Sequence, residues 1–231
     1  MTIETRHPML ESRAVRAFFD AYAPVDWSNL QHAHDVGSVL MRRLTSDKPL
    51  FRDLIDAAVD DPVLFPKCEC HRLDHKIVIW DDPAKNFRLR LRMFRNGQYE
   101  RIHDHRFSFT TLVLRGHHRE SFWAARRPLG DDSRLEDFVQ LFVREEVTDR
   151  VFTLHHTALH STLVSSDSIS LVFRGPPEKP RSFLIGKDKE VGQVWWRVGQ
   201  FDESPERREH VAMSRETFFD LRRLFVDTGL I

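Results

Sequence analysis

Between residues 75 and 93 the spacing of apolar residues changes from that of a helix to that of a strand, and no other feature constrains the fold as much. Lys76 to Trp80 is a short apolar run, Asp81-Asp82-Pro83 carries turn residues, and Phe87, Leu89, Leu91 and Met93 alternate with Arg88, Arg90 and Arg92. A period of two sends the two sets to opposite faces of a strand. Further strands are expected at Phe107 to Leu114, His117 to Ala124, Leu135 to Val143, Arg150 to Leu154, Ile169 to Arg174, Arg181 to Ile185 and Val194 to Val198. Many short strands joined by turns imply a β-sandwich or barrel. The arginine row reads as the solvated face of an edge strand; the alternative is a surface that binds a carboxylate.

Before this point the chain reads as helical. Val15, Phe18, Phe19 and Tyr22 suggest a first helix, and Leu30, Ala33, Val36, Leu40 and Leu44 recur at three- and four-residue intervals behind Ser28, a candidate N-cap. A third helix is expected from Ser46-Asp47, with Pro49 in its first turn, through Leu50, Leu54, Ile55 and Val59 to the stop at Asp61-Pro62. His32 and His34 are expected to be solvated. After a charged linker at Asp202 to Glu209, Ser214 caps a last helix whose stripe of Phe218, Leu221 and Phe225 should dock on the barrel or on a second subunit. The expected organisation is a helical segment over 1–65 packed on a barrel over 66–200, then a linker and C-terminal helix over 201–231.

Charge excludes some partners. Lys plus Arg and Asp plus Glu number 35 each, so no basic surplus advertises nucleic acid or an acidic membrane. No run approaches the length that spans a bilayer, and a cytoplasmic protein is expected. Cys68 and Cys70 are the only cysteines; they are too close in sequence for a good bridge and are expected as free thiols.

His103 and His105 stand at i and i+2, which on a strand places both imidazoles on one side. Imidazole nitrogen suits Zn, Cu, Fe and Ni, but two ligands leave a site incomplete. A chain with 13 histidines also produces such a pair by chance.

The same stretch resembles the first motif of the cupin superfamily, G-x5-H-x-H-x3,4-E-x6-G, through Gly97, His103, His105 and Gly116, with Phe109 where the glutamate would stand. The second motif, G-x5-P-x-G-x2-H-x3-N, keeps its spacing with Asp149, His155 and Thr157 at the Gly, Pro and Gly positions and His160 at the histidine. The resemblance implies a mainly β fold, a cupin double-stranded β-helix or jelly-roll barrel, with His160 as third metal ligand. His155 and His156 compete for that role but are expected to line the mouth or bond within the turn. Without a carboxylate ligand, three neutral imidazoles would leave an ion its full charge and open positions, as in the thiol dioxygenases that the region from Lys76 to Gly116 resembles.

The likeness to that group stops at the metal. Its carboxylate-binding arginine corresponds to Ile77 and its crosslinking cysteine to Thr110, while the only tyrosines, Tyr22 and Tyr99, both precede His160. Cysteine is therefore not expected as the substrate. Asp104 and Arg106 are expected as a structural ion pair, and Tyr99, Arg115 and His117 are candidate acids, bases or anion clamps. The expectation is an Fe(II) oxygenase, with Zn, Mn, Ni or Cu as other metals, acting with O2 on a small polar or anionic molecule and forming a homodimer. The alternatives are an isomerase, lyase or hydrolase that uses the ion without O2, or a ligand-binding cupin without activity.

Overall fold

A computed structural model describes residues 6–72, 74–94, 101–166, 168–186 and 193–231. Gly97 and Tyr99 lie outside the described residues. The helices are α1 (Arg13–Asp20), α2 (Leu30–Ser46), α3 (Lys48–Ala58), α4 (Pro205–Val211) and α5 (Arg215–Asp227). The strands are β1 (Glu69–Cys70), β2 (Asp74–Asp82), β3 (Phe87–Phe94), β4 (Ile102–His103), β5 (Phe109–Arg115), β6 (His117–Ala125), β7 (Phe138–Val147), β8 (Val151–Leu154), β9 (Leu159–Val164), β10 (Ile169–Arg174), β11 (Ser182–Gly186) and β12 (Gln193–Arg197).

Local chemistry sets the helix ends. Asn29, one residue beyond the expected Ser28, caps α2 by accepting the His32 N–H at 3.1 Å, and Asp47 caps α3 by accepting the Leu50 N–H at 3.1 Å. The buried residues of α2 are Ala33, Gly37, Leu40, Met41 and Leu44, one stripe at helical spacing. Of the two helical histidines, His32 bonds locally to the Asp26 N–H, but His34 is half-buried with Nδ1 2.9 Å from Thr153 Oγ1. His34 therefore anchors α2 to β8; His32 is half-buried as well. Within the charged stretch after residue 200 the structure adds α4, capped by Ser204 with Pro205 in its first turn.

The strands form two six-stranded antiparallel sheets, β1-β2-β3-β10-β5-β8 and β12-β11-β4-β9-β6-β7. The eight strands from β3 to β10 contribute four to each, in the orders β3-β10-β5-β8 and β4-β9-β6-β7. That is the double Greek-key order of a jelly roll. The fold is mainly β, with helices at both ends of the chain.

The first sheet is covered on its outer face by the helices. Ile77, Ile79, Leu89, Leu91, Leu171 and Phe173 join α2, α3 and α5 in the largest core. Gly37 allows this approach: a Cβ there would lie 2.8 Å from the Phe173 ring. The inner face, between the sheets, holds a smaller cluster of Phe109, Val113, Phe122, Phe152, Leu154 and Val172. α5 buries Phe218 and Phe225 completely in the outer core, so its stripe docks within this chain. Among the described residues no helix is long and apolar enough to cross a membrane.

Candidate metal centre

β4, only two residues long, places His103 between Leu184 of β11 and His160 of β9 in the second sheet. His160 in turn faces Phe122 of β6, so the three strands present a row of side chains to the barrel interior. His105 follows just past β4, where its N–H donates to the His156 carbonyl at 3.1 Å. Ring centroids lie 4.8 Å apart for His103 and His105, 4.4 Å for His103 and His160, and 5.0 Å for His105 and His160. One ligand nitrogen from each comes within 4.8 Å of the others. The structure thus brings His103, His105 and His160 together.

The donor set fits an ion that favours imidazole. Two nitrogens bound at about 2.1 Å and at right angles are about 3 Å apart, and His105 Nε2 lies 2.8 Å from His160 Nε2. The far nitrogens are committed elsewhere: His103 Nδ1–H donates to the Arg101 carbonyl at 2.7 Å and His160 Nδ1–H to Glu120 Oε2 at 2.8 Å. These bonds assign the tautomers and leave Nε2 lone pairs for the centre. Burial holds His105 well below the ordinary histidine range, helped by His103, His160, Arg92 and Arg90. Neutral imidazole is the form that binds a metal.

Glu120 is the candidate site residue that sequence reasoning missed. It is 2% exposed and also accepts the Thr162 hydroxyl at 2.8 Å. Burial raises its carboxyl, yet the His160 imidazole beside it and its bond to that ring, with His118 and Thr162, hold it below the usual carboxylate range. His118 stands behind it, Nδ1 3.8 Å from Glu120 Oε1, with Nε2 3.0 Å from Ser168 Oγ and 3.2 Å from Ser170 Oγ. A signal was available: His118, Glu120 and Phe122 alternate on β6, and a glutamate on the inward phase requires a partner.

Phe109 occupies the position where a carboxylate ligand would stand. It is 8% exposed, and its ring meets His105 edge-on at 4.7 Å between centroids. Ile77 and Thr110 face away from the centre. Ile77 is in the outer core, and Thr110 Oγ1 lies 3.4 Å from the Ala33 carbonyl of α2 and 2.9 Å from Thr153 Oγ1.

A cavity of about 1760 Å³ opens beside His103 and His105. Eleven of its lining residues are Lys or Arg and five are Asp or Glu, so the neutrality of the whole chain hides a local excess of positive charge. The arginine row of β3 is here, which corrects the edge-strand reading. β3 lies between β2 and β10, and Arg88, Arg90 and Arg92 are half-buried toward the cavity. A strand covered by helices on one face must carry its polar phase into the barrel. Arg88 pairs with Asp81 through bonds of 3.0 and 2.9 Å, and Arg92 with Asp74 at 2.5 Å. Lys67 joins Asp81 at 2.6 Å and Lys76 joins Glu69 at 3.2 Å.

The other candidates are scattered. Arg115 and His117 are exposed on the hairpin around Gly116, outside the cavity lining. Tyr99, as noted, is not described. Asp104 and Arg106 do not pair with each other: Asp104 pairs with Lys179 and accepts the Phe183 N–H at 2.7 Å, while Arg106 reaches Asp202 at 3.4 Å. His155 Nδ1 is 2.7 Å from Thr157 Oγ1, and His156 Nδ1 is 3.1 Å from Glu178 Oε2. Asp149, at the glycine position of the second motif, takes a left-handed φ of 68°, whereas Thr157 has no positive φ. Cys68 is a buried thiol, pushed up to about 12 by burial; Cys70 is half-buried, and neither is in a disulfide.

No protein-family model and no curated protein sequence matches the chain. Solved structures that resemble it include KdgF from a Halomonas species, at 13% identity over 47% of this chain and 84% of that one, with a TM-score of 0.34. An RmlC-like cupin from Shewanella frigidimarina matches at 12% identity over 48% of this chain and 85% of that one, with a TM-score of 0.36. The DMSP lyase DddQ from Ruegeria pomeroyi matches at 11% identity over 48% and 51% of the two chains, with a TM-score of 0.35. At such scores these likenesses carry no argument about activity, and the assignment of a jelly-roll barrel rests on the strand order itself.

Proposed function

We propose that the chain is a metal-dependent enzyme of cupin type, a mononuclear non-haem Fe(II) oxygenase that acts with O2 on a small polar molecule. His103, His105 and His160 are its ligands. The observation that carries this reading is the cluster of three inward imidazoles with Phe109 in the place of a carboxylate. When bound, such an ion supplies Lewis acidity and open coordination positions. The chain's own residues do the rest. Glu120 and the Arg101 carbonyl orient two of the imidazoles, Phe109 and Phe122 exclude water from one side, and the cavity admits the substrate from the other.

The test is metal analysis after anaerobic purification, followed by O2 uptake with candidate substrates. Stoichiometric iron is expected in the wild type and a loss of at least tenfold in His160→Ala. Stoichiometric metal retained by His160→Ala would sink the ligand assignment. Turnover that proceeds unchanged without O2 or another oxidant would sink the oxygenase.

A further inference from the structure

Arg90 and Arg174 differ from Arg88 and Arg92 on the same face of the sheet. Arg88 and Arg92 each have an aspartate. Arg90 makes no ion pair or hydrogen bond with any described residue, and its Nε is buried without a partner. Arg174 donates from Nη1 to the Gly175 carbonyl at 2.9 Å, yet its Nε is likewise buried and unpartnered. The two strands are paired, Val172 opposite Arg90 and Arg174 opposite Arg88, so both guanidinium groups arise from one face of one sheet. Phe107 lies against both, its ring centroid 5.2 Å from the Arg90 guanidinium and 4.4 Å from that of Arg174.

A cation–π contact stabilises a guanidinium only modestly, and it leaves the N–H donors unused. Both side chains are half-buried, and the carboxylates of Glu69, Asp74 and Asp81 act on them only through space, so the two buried Nε donors are left without an acceptor, which costs stability and which a structural role would not require. Burial lowers both from the ordinary arginine value, Arg90 to about 10 and Arg174 well below it, with neighbouring arginines adding to the effect. The Nε edge of a guanidinium is the fork that receives two oxygens of a carboxylate or phosphate.

We infer that Arg90 and Arg174, flanking Phe107, form an oxyanion subsite in the wall across the barrel from His103, so that the substrate is a small molecule bearing a carboxylate or phosphate group. As a statement about substrate this rests on the three-histidine centre proposed above; as a statement about anion binding it does not. The subsite also differs in place from the Ile77 position, which faces the outer core.

The experiment uses the full chain, chelated and metal-loaded, titrated calorimetrically with inorganic phosphate and with succinate, and with uncharged succinamide as control. Binding of at least one anion in both states is expected, with none of succinamide; the tighter of the two names the group. In the double variant R90M/R174M affinity should fall at least tenfold, while Arg207→Met, at an exposed rim position, stays within twofold. Arg90→Lys keeps the charge and loses the fork, so a loss of at least threefold is expected. If the anion-free melting temperature rises in Arg90→Met, an uncompensated charge has been removed; if it falls, the arginine is structural and the inference is overturned. Wild-type affinity in the double variant or in Arg90→Lys overturns it, as does the absence of anion binding to the folded wild type. His160→Ala separates the two readings, since it should lose metal and keep the anion.

Discussion

Glu120 shows how much one buried carboxylate can organise. Its oxygens are shared by a histidine of the three-histidine cluster, the Thr162 hydroxyl and, more distantly, His118, with almost no exposed surface. A carboxylate behind a metal-binding imidazole fixes the ring and raises its basicity, and removal of such partners typically costs about 10- to 100-fold in metal affinity. Glu120→Gln keeps the shape and an acceptor but loses the charge. Its affinity, measured by competition with a chelator, is expected to fall by about tenfold or more. An unchanged affinity would mean that the carboxylate merely fills space. The pair His103 and His105 was readable from spacing and His160 from the resemblance to the second cupin motif; Glu120 was not singled out, because a lone glutamate on a strand acquires meaning only when the register opposite Thr162 brings it to the His160 ring.

Two turns carry the barrel at the scale of elements. Gly116 closes the β5–β6 hairpin at φ 80°, and a Cβ there would lie 2.5 Å from Ser165 Oγ. Gly116→Ala should lose about 1–3 kcal/mol in urea unfolding, and no loss would contradict the strain argument. Asp149 does the same work at the β7–β8 turn with φ 68°. Asp tolerates that region better than other non-glycine residues, so Asp149→Gly is expected to be neutral within about 0.5 kcal/mol or stabilising, and Asp149→Val to lose about 1–2 kcal/mol. The motif spacing located both turns, though the aspartate at a glycine position made sense only from its backbone angle. The arginine strand reads differently. Alternation alone gives two faces and does not say which is wet. Helices α2 and α3 took the apolar face of the first sheet, so the arginines were left between the sheets.

For the whole molecule, the outer core ties the chain's two ends together. α5 seats Phe225 among residues of the N-terminal helices and the first sheet, and Arg222 forms two bonds to Asp56 of α3 at 2.5 and 2.8 Å. Phe225→Ala should cost about 3–5 kcal/mol and lower the urea midpoint of the entire protein; a loss confined to the C-terminal helix would show that α5 unfolds separately. The pH profile follows from the site. His105 is held below its ordinary 6.5, so the unfolded chain takes up a proton there first and the chelated protein loses stability as pH falls through that value. Glu69 is buried, which would raise it, but Lys76 and His71 hold it below its ordinary 4.5; its contribution is present above that value and disappears in acid. Urea midpoints should therefore decline in two steps, and a profile flat from neutral to the carboxylate range would refute the first.

Periodicity and spacing, which are local and survive without a fold, were enough for the class of elements and the His103–His105 pair, while the jelly-roll expectation and His160 as its partner came from the resemblance to the cupin motifs. Sequence alone could not determine which side of the first sheet is interior, that Arg115 and His117 would stay on an exposed hairpin, or that Glu120 would reach His160. Those are outcomes of register and of which helix covers which face, and they are set by contacts between residues far apart in the chain. Tertiary structure alone put Arg90 and Arg174, with no carboxylate in contact, and two histidines of the three-histidine cluster around one cavity, in a protein whose overall charge is zero.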